Sequence, residues 1–126
     1  MPRNVVDANR LAEQGVVCSV ASNNILNPFT PFGDGQLLRQ VNMQAIVTQR
    51  GSDADVRAAW DMTTSAAARL MRLKDYGIAV GAPADLVVLD APDPVIALRT
   101  VAPDAGGLTS VADAPQPASL VRLHRP

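Results

Sequence analysis

The chain has 126 residues, with eleven basic and twelve acidic side chains for a net charge of -1; 48% of the residues are apolar and 18% charged. This is the composition of one soluble globular domain, not of a disordered or collagenous chain, and it carries no electrostatic footprint for a nucleic-acid partner. One cysteine, Cys18, and one histidine, His124, exclude an internal disulfide, a four-thiolate metal site and a multi-histidine metal centre built by this chain alone.

The first ten residues, MPRNVVDANR, lack the apolar region of a signal peptide. No run of ~18 apolar residues is present, so no membrane span is expected. A cytoplasmic location is the default. Residues 4–14 read as an amphipathic helix with Val6, Ala8, Leu11 and Ala12 on one face and Gly15 as its stop. Residues 16–21, VVCSVA, read as a strand buried on both faces, as in a parallel sheet.

Residues 22–35, SNNILNPFTPFGDG, read as a long loop. Phe29 and Phe32 in it either wall a small-molecule pocket or pin the loop to the core. Asn23 and Asn24 directly follow the strand, where ligand sites of open sheets and βα barrels lie. An asparagine-rich turn explains them equally well.

A helix is expected over residues 35–50, with Asp34 as N-cap and Gly51 as its end. Ser52 to Asp55 resemble a capping box that opens a second helix through Trp60 and Met62. Thr64 or Ser65 then caps a third helix, extending to about Leu73. Ile78 to Val80 and Asp85 to Asp90 are strand-like, and residues 94–100 form a short helix after Pro94. Residues 102–126 show neither period and read as a flexible low-complexity tail.

Cys18 in its apolar run reads as a structural thiol. His124 has no acid or thiol placed near it by sequence. Arg57, Arg69, Arg72 and Lys74, on helices joined by a tight turn, allow a helix-turn-helix reading. The interleaved Asp53, Asp55, Asp61 and Asp75 favour a salt-bridged solvated face, and no nucleic-acid partner is expected.

Two runs carry a resemblance. VASNNILNPFTPFGDGQLLRQVNM, residues 20–43, resembles the last barrel strand and following loop of cytosine deaminase-like members of the amidohydrolase superfamily. DYGIAVGAPADLVVLD, residues 75–90, resembles the segment that leaves the barrel for the small β-sandwich. Thr64 to Arg69 between them also fit, and the resemblance extends to about residue 100. It implies an α/β fold: the C-terminal portion of a (β/α)8 metal-dependent hydrolase. Residues 1–76 would form the last helix–strand–helix part of the barrel, and residues 77–101 the exit segment.

The implied chemistry is hydrolysis of a C–N bond in a cyclic amidine or amide. One or two divalent ions, zinc or iron, activate the water. The chain departs from the pattern twice. It has no H-x-H pair and none of the earlier histidines, so no metal is expected to bind it alone. Asn23 also stands where the family has a catalytic aspartate; an amide offers a neutral oxygen and cannot act as a base near pH 7. Asn24 matches a position that contacts the base as an acid, and Phe29 an aromatic over the substrate ring.

The resemblance therefore implies a heterocyclic small-molecule partner, no membrane partner, a missing N-terminal barrel portion, and a chain inactive alone. The competing readings are a binding protein without metal chemistry, a remnant reading frame, and a helix-turn-helix DNA binder over residues 53–74.

Overall fold

The computed structural model describes residues 5–83 and 86–108. Helix α1 spans Ala8–Glu13. It is shorter than the expected 4–14 because Asp7 takes the N-cap, where its carboxylate accepts the Arg10 N–H at 3.1 Å. Gly15, at φ 83°, follows its end.

Residues 16–21 differ from expectation. They pair with no strand among the described residues, and Val16 and Val17 are 48% and 42% exposed. An extended apolar run becomes a strand only where a neighbour supplies the ladder. Here the tie is a bond from the Val20 N–H to the Met62 carbonyl at 3.1 Å.

Helix α2 spans Leu37–Thr48. Its N-cap is Gln36, not Asp34; the Asp34 carboxylate instead accepts the Gln36 N–H at 3.0 Å. It ends before Gly51, because Gln49 turns left-handed at φ 56°. Helix α3, Asp53–Asp61, carries the expected capping box: Ser52 Oγ accepts the Asp55 N–H, and the Asp55 carboxylate accepts the Ser52 N–H. Helix α4 spans Ser65–Leu70. The Thr64 hydroxyl does not cap it but donates to the Trp60 carbonyl at 3.1 Å. Arg72, left-handed at φ 53°, stops the chain from continuing the helix to Leu73.

Ile78 to Val80 form no strand and are exposed, bracketed by Gly77 and Gly81 at positive φ. Strand β1, Leu86–Leu89, is the expected one. Helix α5, Pro94–Thr100, starts where Pro94 presets φ and Asp93 accepts the Val95 and Ile96 N–H groups. Strand β2, Asp104–Leu108, lies inside the segment expected to lack any period. It pairs antiparallel with β1, with a bulge between Val88 and Leu89. The rest of that segment lies outside the described residues.

The core is where α2, α3 and α5 meet. Val41, Val56, Ala59, Val95 and Leu98 are buried together, with Val20 and Trp60 packed against them. Each large apolar side chain buried there contributes ~1.5–3 kcal/mol. Other apolar groups stay bare: Val5, Val6 and Leu11 near α1, and Met43, Ile46 and Val47 on α2. Among the described residues no helix is long and apolar enough to cross a membrane.

Candidate functional site

The loop from Ser22 to Gly35 is held by its own polar groups. Asn23 is exposed and left-handed, at φ 58°. Asparagine tolerates that conformation better than most residues because its short amide bonds locally. Asn24 and Asn27 are half-buried. Asn27 closes a tight turn: its N–H donates to the Thr30 carbonyl at 3.2 Å, and the Thr30 N–H returns the bond at 3.1 Å. Asn27 Oδ1 also accepts the N–H groups of Phe29 and Thr30, each at 3.0 Å. Asn27 Nδ2 donates to Asn24 Oδ1 at 3.0 Å.

Ile25 tucks beneath the glycines of this loop. A Cβ built on Gly33 or on Gly35 would meet it at 3.5 Å, and both glycines have positive φ. Beyond them, Asp34 pairs with Arg39 at 3.0 Å. The Gln36 N–H and the Arg39 guanidinium hold the Asp34 carboxyl below the usual carboxylate range.

Phe29 and Phe32 are 78% and 74% exposed. They do not pin the loop to the core. Both rings stand in solvent, and aromatic rings left bare on a loop are available to a ligand or to another part of a protein.

Among the described residues, two of the hollows lie away from these rings. The larger, about 1010 Å³, is bounded by the start of α2, the α3–α4 turn, residues 73–78 and β1; Trp60, Leu38, Tyr76 and Leu86 line it. The smaller, about 450 Å³, lies between α1, residues 18–21 and α2, with Cys18, Leu11 and Met43 in its wall. Neither is lined by Asn23, Asn24 or Phe29. Cys18 Sγ is half-buried and donates to the Val16 carbonyl at 3.6 Å.

The side chains present do not make a metal centre. Among the described residues no group of three histidine, cysteine, aspartate or glutamate side chains converges. Asn23 itself offers a neutral amide, a poor metal ligand beside a carboxylate or an imidazole. His124 lies outside the described residues.

Sequence reasoning singled out Asn23, Asn24 and Phe29 and missed Asn27. Its signal was the Asn27-Pro28 dipeptide, a turn initiator whose side chain bonds the backbone two residues on.

The model of the amidohydrolase family matches residues 1–106. N-isopropylammelide isopropyl amidohydrolase from Pseudomonas sp. (strain ADP) is 36% identical over 86 residues, which is 68% of this chain and 21% of that protein. Crystal structures of 5-methylcytosine deaminase from Klebsiella pneumoniae superpose with a TM-score of 0.76. The complex with phosphonocytosine is 27% identical over 93% of this chain. The complex with 5-fluorocytosine is 26% identical over 92%. The chain spans about a fifth of the curated relative it matches and 29% of each solved chain.

Proposed function

The chain belongs to the amidohydrolase family, and on that premise we propose that it is the C-terminal portion of a (β/α)8 hydrolase acting on C–N bonds of cyclic amidines or amides. One observation carries the reading: 93% of the chain follows the backbone of a deaminase that holds a cytosine analogue, with a TM-score of 0.76. In this reading residues 1–76 are the last helix–strand–helix part of the barrel and residues 77–101 leave it toward a small β-sandwich. Residues 16–21 are the last barrel strand, which is why they form no ladder on their own.

Asn23, Asn24 and Phe29 then lie at the mouth of the barrel, past the C-terminal end of its last strand. Phe29 stacks on the heterocycle, and Asn24 bonds its edge. Asn23 stands nearest the reacting carbon. A divalent ion, zinc or iron, supplies hydroxide when bound in the intact family. Its histidines come from the portion that this chain lacks. The 126-residue chain alone is therefore inactive.

The substitution of Asn23 for the catalytic carboxylate favours a second reading, a pocket that binds a heterocycle without hydrolysing it. A chimera separates the two. This chain replaces the matching 29% of 5-methylcytosine deaminase, and ammonia release from 5-methylcytosine is measured. The isolated chain releases none. The chimera with Asn23→Asp is expected to exceed the unsubstituted chimera by ~10²–10⁴, the usual weight of general acid–base catalysis. Equal activity of the two removes Asn23 from the reacting position. A folded Asn23→Asp chimera without turnover overturns the hydrolase reading.

A further inference from the structure

The hydrogen bonds of the loop decide which way two amides point. Asparagine oxygen and nitrogen are interchangeable in shape, so orientation follows from partners. Backbone N–H groups only donate. The N–H groups of Phe29 and Thr30 both lie 3.0 Å from one atom of the Asn27 amide, so that atom is its oxygen. The other atom is then Nδ2, a pure donor, and it lies 3.0 Å from the Asn24 amide. Asn24 must present its oxygen there. Its own Nδ2 is turned away from Asn27, and among the described residues nothing accepts from it.

We infer that Asn27 is a positioning residue that holds Asn24 as a hydrogen-bond donor, so that the ring recognised by this wall offers an acceptor at that edge, a carbonyl oxygen or an unprotonated ring nitrogen. The inference rests on the proposed placement of Asn24 at the substrate wall. A carboxylate at residue 24 does the opposite: it accepts, and selects a ring edge bearing N–H. The polarity is fixed at Asn27, by backbone donors that no substitution other than proline removes. Asn24 cannot flip without setting its Nδ2 against Asn27 Nδ2, donor against donor.

The test follows ring binding to the chimera with 5-methylcytosine deaminase, in which the barrel is complete, labelled with nitrogen-15, by NMR titration. Pyrimidine presents two unprotonated ring nitrogens and no N–H; 1,3-diaminobenzene is a six-membered ring of amino donors with no ring acceptor. Pyrimidine is expected to bind about tenfold tighter, the cost of one mismatched hydrogen bond. Asn27→Asp keeps the oxygen that accepts the Phe29 and Thr30 N–H groups, so both amides stay hydrogen-bonded, read as their protection from exchange. It removes the donor toward Asn24, lets that amide turn round, and reverses the preference. Asn24→Asp reverses it directly.

A preference for 1,3-diaminobenzene without any substitution overturns the inference. So does a preference unmoved by Asn27→Asp while the loop amides hold. If neither ring shifts the Asn24 and Phe29 resonances, the substrate-wall reading itself fails and takes the inference with it.

Discussion

Arg50 Nη2 lies 2.9 Å from Asp7 Oδ2, joining the end of α2 to the N-cap of α1 across 43 residues of sequence. The same guanidinium reaches Glu13 at 3.0 Å and Asp55 at 3.4 Å. Asn9, buried between them, donates to the Asp55 carbonyl at 2.9 Å. One arginine thus fastens α1 and α3 to α2, in a chain where α1 adds little apolar burial of its own.

This cluster makes the fold acid-sensitive. Hydrogen bonding to Arg50 holds the Asp7 carboxyl below its ordinary value, and the Ser52 hydroxyl does the same for Asp55. A carboxylate depressed in the folded state stabilises it above the unfolded pKa, ~3.9, and that contribution is lost as pH falls through the folded value. The melting temperature is therefore expected to hold from pH 7 to about pH 5 and to fall below ~4. Asp7→Asn keeps an N-cap residue but removes the charge. It lowers the melting temperature at neutral pH and flattens the acid limb, as read by circular dichroism. An unchanged acid limb means that Asp7 contributes nothing through Arg50.

Burial separates two apolar substitutions of similar chemistry. Leu98 is 1% exposed inside the α2–α3–α5 core, while Ile78 is 92% exposed. Leu98→Ala is expected to cost ~2–5 kcal/mol in urea unfolding, through lost transfer energy and a residual cavity. For a domain of ordinary stability, ~5–15 kcal/mol, that brings unfolding within reach of mild conditions. Ile78→Ala should stay within ~0.5 kcal/mol. A comparable loss at Ile78 shows that the segment 73–80 packs against something in solution.

The legible parts of this fold were local. Ser52 and Asp55 are three residues apart, and their capping box was readable because both partners sit in one turn. Pro94 announced α5 in the same way, while its N-cap Asp93 went unread. The run 16–21 read as a strand because its pattern is that of one, yet a ladder depends on a neighbour that no local pattern contains. Arg50 was silent because its partner Asp7 is distant in sequence. At the candidate site the positions of Asn23, Asn24 and Phe29 came from resemblance. The polarity of Asn24 hangs on which atoms of Asn27 meet the backbone, a relationship that only the folded loop contains.

Asn23 is constrained by its backbone as well as by its proposed chemistry. At φ 58° it occupies the left-handed region. Asn23→Gly relieves that constraint and is expected to leave stability within ~0.5 kcal/mol. Asn23→Val places a β-branched side chain there and costs ~1–2 kcal/mol. Urea denaturation of the two variants measures the difference. Equal stabilities mean that the loop re-forms with Asn23 in an ordinary conformation, and the geometry beside Asn24 then changes with it.

Val101 gives the sharper version of this argument. It caps α5 at φ 51° and ψ 56°, a left-handed position that β-branched residues avoid. The chain accepts it because the cap is useful: the Val101 N–H bonds the last turn of α5, and the Ala102 N–H reaches the Ala97 carbonyl at 2.9 Å. Ala102 is then buried at the end of the helix. Glycine makes the same cap without a Cβ penalty. Val101→Gly is expected to stabilise the chain by about 1 kcal/mol, the strain relieved less the added freedom of the unfolded chain. Gln49, at φ 56° behind α2, has the same conformation without β-branching, so Gln49→Gly should gain less. Urea midpoints at constant slope rank the two. A destabilised Val101→Gly reverses the balance: the half-buried Val101 side chain contributes more by packing than its backbone costs.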